Sequence, residues 1–290
     1  MRNITRKDNG PVIRQKIYNN MEYLTFPILE DSGWIRHAFT TRVGGISKGI
    51  YGEANYSYSR GDDPACVDEN LMRMGEILGV GRDLDRFVLT AQTHTTNIAV
   101  AGPEDAGRGI RGENAYTDTD GLITDVPGLI LTSYHADCPV VYLADHVHRA
   151  VGLVHSGWKG TAGRIAAKAV RKMHETYGTD PADIIAAIGP SICPDCYEVS
   201  SDVADVFISG FKGTENIIRL KSDGKYLLSL WAAIKETLLE EGVRAGAIEV
   251  TDICTRCNPG YLFSHRYAGD KRGNNAAFIM IDPGDNISEA

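Results

Sequence analysis

Short apolar runs broken by turns dominate this chain, and only three stretches repeat with helical periodicity. Val67, Leu71, Met74 and Leu78 recur at helix spacing and predict a helix over Pro64–Leu78. After Gly160, Ile165, Ala166, Ala169, Val170 and Met173 line one face while Arg164, Lys168, Arg171 and Lys172 occupy the other, predicting a helix over 161–176. A third spans about 228–241, with Leu230, Ile234 and Leu238 inward and Gly242 as its stop. Strands are predicted at 37–42, 86–91, 97–101, 128–134, 139–144, 150–155, 183–189, 248–253 and 276–281. Hairpin-like and helix-linked spacings alternate, which predicts an α/β fold with a mixed sheet or two stacked sheets rather than a parallel barrel. No repeat or long linker interrupts the pattern, so one domain over 1–290 is expected, with residues 1–20 polar and loosely held.

The net charge of −8 supplies no basic face, which argues against a nucleic-acid binder; a small anion needs only one or two local arginines. The opening MRNITRKDNGPVIRQ lacks the apolar core of a signal peptide, and no apolar run approaches the ~18 residues of a membrane span. A soluble, cytoplasmic protein without membrane contact is therefore expected, as a monomer or homodimer. Of the six cysteines, Cys193/Cys196 and Cys254/Cys257 form two C-x-x-C pairs. They lie much further apart than the roughly 15–20 residues of a zinc ribbon. The favoured reading is therefore ordinary buried or half-buried thiols, ahead of a four-cysteine zinc site or a redox pair.

Candidate chemistry concentrates in residues 128–160, GLILTSYHADCPVVYLADHVHRAVGLVHSGWKG. Cys138 and His155 both stand where an apolar strand meets a turn, a place from which side chains reach clefts. His94 follows the apolar run Phe87–Thr90 in the same way. Two imidazoles and one thiolate match the ligand count of a catalytic metal with an open position. Taken singly, His94 reads as a surface or core histidine, Cys138 as a small buried hydrophobe and Trp158 as packing. His135, His146 and His148 are spare donors, but strand alternation turns His135 away from the face of Ala136 and Cys138 unless the chain turns early.

Several motifs then occur in order: Thr41-Arg42 with Gly44-Gly45-Ile46-Ser47, Gly61-Asp62 with Asn70, Gln92-Thr93-His94, and Ala136-Asp137-Cys138-Pro139. His155 through Gly160, Ile188 through Ile192, Cys196-Tyr197-Glu198-Val199, Cys254-Thr255 and Phe263-Ser264-His265-Arg266 follow. Together they resemble the YfiH/YlmD family of laccase-like proteins over about residues 30–282. The resemblance implies an α/β/β/α sandwich with mixed sheets and one Zn2+ held by His94, Cys138 and His155. It also implies phosphorolysis of adenosine, inosine and S-methyl-5'-thioadenosine, and deamination of adenosine to inosine. Such an ion is a Lewis acid able to activate water near neutral pH.

On this footing Cys138, Asp137 and Arg266 are the candidate catalytic residues, Asp137 as a general acid or as partner to a histidine ligand. Arg42, Lys159 and Arg266 are the candidates for binding nucleoside and phosphate, helped by backbone N–H groups of the Gly157–Gly163 turn. In two places the chain departs from the family pattern. Asn274 stands where the last motif usually carries arginine, and Lys159 where relatives often have arginine.

Three rivals follow from the same residues. Two histidines and a cysteine also suit Cu2+ and hence a polyphenol oxidase, although eight histidines with one H-x-H pair fall short of a multicopper enzyme. Cys138 and His155 without metal would make a cysteine hydrolase or deamidase, including a role in cell-wall precursor editing. A protein that only stores zinc is the third.

Overall fold

The computed structural model describes residues 2–7 and 12–284. Two six-stranded sheets stack face to face. The first runs β1 (Arg14–Tyr18), β2 (Met21–Thr25), β3 (Ile35–Thr40), β15 (Asn275–Ile281), β7 (Ile130–His135), β4 (Phe87–Leu89). The second runs β14 (Ile248–Val250), β10 (Ile184–Ile188), β8 (Val140–Asp145), β9 (Ala150–His155), β6 (Gly121–Thr124), β5 (Ile98–Val100). Both are mixed: β4/β7, β5/β6 and β10/β14 are parallel neighbours, and the other pairs are antiparallel.

Alternation along each strand builds the layers, because successive side chains leave opposite faces. Phe39, Leu131 and Ile279 of the first sheet meet Val140, Tyr142 and Leu153 of the second in the central core. On the far side of the second sheet, Val141, Leu143 and Val154 pack against α4 (Ile165–Tyr177) and α6 (Leu230–Glu240). On the far side of the first, Phe87, Ile130 and Phe278 pack against α2 (Pro64–Leu78). The result is an α/β/β/α sandwich with mixed sheets, as the family resemblance implied. Each fully buried aliphatic or aromatic side chain contributes roughly 1.5–3 kcal/mol to these interfaces.

Local signals explain the element ends. The side chain of Asp63 accepts the Ala65 N–H ahead of α2, Pro64 opens the helix, and Gly79 closes it at φ 81°. Short α1 (Pro27–Glu30), α3 (Trp158–Ala162) and α7 (His265–Ala268) sit at connections. The remaining helix, α5 (Ser201–Gly210), covers a small sheet of β11 (Glu198–Val199), β13 (Tyr226–Leu228) and β12 (Ile218–Leu220). Among the described residues no helix is long and apolar enough to cross a membrane.

Two expectations need correction. The expectation that residues 1–20 are loosely held fails over 2–7 and 12–20, since β1 pairs along its length with β2 and Arg6 bridges the buried carboxylate of Asp252 at 2.7 Å, while residues 1 and 8–11 lie outside the described residues. The single helix expected over 161–176 is two helices, α3 and α4, broken at Gly163-Arg164. Arg164 adopts a left-handed φ of 60° at the break, and its guanidinium lies 3.6 Å from the centre of the Phe211 ring and donates to the carbonyl of Gly210.

One connection matters most for function. β7 belongs to the first sheet and β8 to the second, so residues 136–139 carry the chain from one sheet to the other. Cys138 therefore lies at the rim between the two layers.

Candidate functional site

His94, Cys138 and His155 converge although none are neighbours in sequence: their donor atoms all lie within 4.8 Å of one another. The β8–β9 ladder accounts for two of them. Val140 opposes His155 in register, which brings the residues just before β8 beside those just after β9. His94 arrives from the loop after β4, with its Nε2 3.8 Å from the Cys138 sulfur. Gly157 makes the convergence sterically feasible. A Cβ there would lie 2.8 Å from the His94 ring and 3.0 Å from the Cys138 sulfur, so only a bare backbone fits.

Asp120 organises this triad. It stands directly before β6, the neighbour of β9, and its Oδ1 accepts from His155 Nδ1 at 2.7 Å. The same carboxylate accepts the backbone N–H groups of Thr93, His94 and Thr95. These bonds hold His94 at a left-handed φ of 65°, a costly conformation for a non-glycine residue. Occupying Nδ1 of His155 leaves its Nε2 free for the site.

The electrostatics follow from this packing. Burial alone would raise the Cys138 pKa, but His155 and His94 overcome it and bring the thiol down to about 6. Burial alone would lower that of His155, but the Cys138 thiolate and Asp120 raise it to about 9. Burial likewise pushes Asp120 upward, and His155 together with backbone N–H donors brings it down to about 2. Without metal, the site thus holds a thiolate, an imidazolium and a carboxylate in contact.

The triad lines a cavity of about 670 Å³ whose walls include Tyr58, Tyr134, Trp158, Tyr197, Arg60, Arg266 and Arg272. Arg266 lies 5.2 Å from the centre of the Tyr197 ring and donates to the Glu198 carbonyl. Arg272 is half-buried, and its Nε has no hydrogen-bond partner among the described residues. Burial and the neighbouring Arg60 lower its pKa to about 10, still charged at neutral pH. The cavity therefore joins a soft metal-type donor set to a cationic wall and aromatic surfaces.

A family model described as multi-copper polyphenol oxidoreductase laccase matches residues 36–282. A purine nucleoside phosphorylase of Bacteroides thetaiotaomicron is 34% identical over 268 residues, covering 91% of this chain and 98% of that protein. The chain belongs to this laccase-like family. Adenosine deaminase RL5, from an unknown prokaryotic organism, is 34% identical over 81% of this chain and 90% of its own length. The crystal structure of YlmD from Geobacillus stearothermophilus superposes with a TM-score of 0.87 at 33% identity, over 94% of this chain and 100% of that one.

Within this laccase-like protein the sequence-predicted residues separate. Asp137 and Arg266 join Cys138 at the cavity, and each oxygen of Asp137 accepts one hydrogen bond. One accepts from the Thr255 hydroxyl and the other from the Arg266 backbone N–H, which fixes the orientation of the carboxylate at the cavity wall. Arg42 lies away from the cavity lining: its guanidinium donates to the carbonyls of Gly52 and Pro259 and stacks 4.6 Å from the Phe263 ring. Lys159 is exposed beside Trp158 and does not line the cavity either. The Gly157–Gly163 turn forms the five-residue α3 rather than the start of a long helix, so the cationic wall comes from arginines instead.

At His135 the chain does turn early. The strand stops there, and Asp137 takes φ 93°, folding the chain back until the Cys138 carbonyl lies 3.1 Å from His135 Nδ1. Its ring centre is 5.4 Å from that of His155, and burial together with the His155 charge keeps it neutral. Asp120 and Arg272 escaped the sequence reading. Asp120 carried one local signal, a carboxylate immediately before an apolar strand. Arg272 stands two positions from Asn274 and donates to the Asn274 and Gly273 oxygens, returning a guanidinium to the cavity wall.

Proposed function

We propose that this protein is a zinc-dependent purine nucleoside enzyme. It would cleave adenosine, inosine and S-methyl-5'-thioadenosine with phosphate to give the base and (thio)ribose 1-phosphate, and hydrolyse adenosine to inosine and ammonia. One observation carries this reading: the convergence of His94, Cys138 and His155 on one wall of a cavity that also presents Arg266 and Arg272. Relatives named purine nucleoside phosphorylase and adenosine deaminase support it.

The donor set fits zinc. Zn–S and Zn–N bonds of about 2.3 and 2.0–2.1 Å in a tetrahedron separate S and N by roughly 3.5 Å. The Cys138 to His94 separation is 3.8 Å, and Asp120 leaves the second His155 nitrogen available. When bound, zinc supplies Lewis acidity at this wall of the cavity. Cys138 enters as the thiolate that the neighbouring imidazoles already favour.

The remaining steps belong to the chain's own residues. In phosphorolysis, a phosphate oxygen replaces the purine nitrogen at the anomeric carbon. Arg266 and Arg272 pair with the dianion and aim it, since guanidinium matches two phosphate oxygens at once. Tyr197 and Trp158 offer faces for the base, and the partly enclosed walls limit access of water that would compete with phosphate. A cytoplasmic setting would keep Cys138 reduced and supply both reactants.

The test is direct. Purified protein analysed for metals should contain zinc, and incubation with adenosine should yield ribose 1-phosphate only when phosphate is present. Loss of both activities in Cys138→Ala is expected. Phenol oxidation that depends on copper would favour the oxidase instead. Turnover that survives chelation and is abolished by iodoacetamide would favour a Cys138–His155 thiolate mechanism.

A further inference from the structure

The two C-x-x-C pairs meet. β10 and β14 are parallel neighbours at the edge of the second sheet, and the pairing continues past their ends through a parallel bridge between Ser191 and Cys254. Both strands therefore leave the sheet at the same end, each into a C-x-x-C turn. Donor atoms of Cys193, Cys196, Cys254 and Cys257 all lie within 4.8 Å of one another. Cys193 and Cys254 are fully buried, whereas Cys196 and Cys257 are half-buried.

We propose that Cys193, Cys196, Cys254 and Cys257 hold a second, structural zinc ion as a tetrathiolate, distinct from the His94–Cys138–His155 centre. Four sulfurs bound to one ion at about 2.3 Å stand about 3.8 Å apart, whereas disulfide sulfurs are about 2.05 Å apart. The Cys196 and Cys257 sulfurs are 3.5 Å apart, at the distance of shared ligands and not of a bond. The Cys193 backbone N–H points at the Cys254 sulfur at 3.2 Å, the kind of donor that stabilises a thiolate in a knuckle.

Charge supports the same reading. Zinc binding would release four thiol protons to solvent and leave a net charge of −2. Two cations sit against the cluster: Arg256 lies 3.3 Å from the Cys196 sulfur, and the Lys7 ammonium contacts Cys193. They offset that charge and link the N-terminal segment to the site. The neighbours of the buried cysteines reach the cavity wall. Ile192 N–H donates to the Asp137 carbonyl, and the Thr255 hydroxyl to the Asp137 carboxylate. A filled site would thus fix the loops that hold Asp137 beside Cys138.

Metal stoichiometry of the full chain tests this independently of the catalytic reading. Cys138→Ala should retain one tightly held zinc per chain, and Cys196→Ser/Cys257→Ser should lose it. The wild type avoids any doubt about variant folding. Titration with a mercurial should release zinc in step with modification of these four cysteines, mapped by peptide mass. Cobalt loaded into Cys138→Ala should show the intense near-ultraviolet charge transfer of several thiolates on one ion. Disulfides in the intact mass, thiols that titrate without releasing metal, or iron in place of zinc would overturn the assignment. Absence of zinc from the His94 centre alone would leave it standing.

Discussion

Asp120 and His155 are joined by a 2.7 Å hydrogen bond between two fully or nearly fully buried side chains. That bond fixes the His155 ring, while the other contacts of the same carboxylate fix the backbone that carries His94. One residue with no donor atom in the triad therefore positions two of its three members. Partners of this kind are commonly worth 10–100-fold in metal affinity.

Asp120→Ala should accordingly weaken zinc binding by roughly 10–100-fold. Competition with a chromogenic chelator reads the affinity directly. An unchanged dissociation constant in a folded variant would remove Asp120 from the design of the site. Asp120→Asn keeps an acceptor oxygen and should fall between the two.

Gly157→Ala tests the closeness of the ligands. The added methyl must displace the His94 ring or the Cys138 sulfur, since its ideal position is 2.8 and 3.0 Å from them. The φ there is −61°, so alanine brings no backbone strain of its own. We expect a folded protein, by circular dichroism and melting temperature, that has lost its zinc at this centre and its turnover.

Acidity of Cys138 predicts a pH profile for alkylation of the metal-stripped protein. With its pKa lowered to about 6, the thiolate fraction rises as pH increases through 6. Iodoacetamide labelling of the Cys138 peptide should be half-maximal near that pH, far below an ordinary thiol of about 8.5. Zinc should suppress it. A midpoint above pH 8 would show that His155 and His94 do not stabilise the thiolate.

Two arginines should behave in opposite ways. Arg272→Gln removes a cation from the cavity wall and should lower kcat/KM for phosphorolysis by about ten- to hundredfold, mostly through KM for phosphate. Arg42→Ala should leave the kinetics of folded protein unchanged and cost roughly 1.5–3 kcal/mol of stability, because its charged hydrogen bonds to Gly52 and Pro259 are lost. Urea denaturation and phosphate-dependent kinetics on both variants separate the roles. A kinetic defect in Arg42→Ala with normal stability would return that residue to the binding site.

Much of this protein was written in local patterns. Short, nearly unbroken apolar runs placed the central strands to within a residue or two, because burial on both faces of stacked sheets demands them. The helical spacing of Val67, Leu71, Met74 and Leu78 placed α2 from Pro64 to Leu78 as observed. Motif order identified the family, and His94, Cys138 and His155 were legible because donor residues at strand ends are chemically conspicuous. What only the tertiary structure decided is which strand lies beside which. The β6–β9 pairing made Asp120 the partner of His155, the β10–β14 pairing brought two distant C-x-x-C turns together, and the layer crossing at residues 136–139 turned His135 toward the site. Arg42 lies off the cavity and Arg272 on it for a similar reason. A guanidinium goes where unsatisfied carbonyls or an open cavity lie, and neither is visible until the backbone has closed around it.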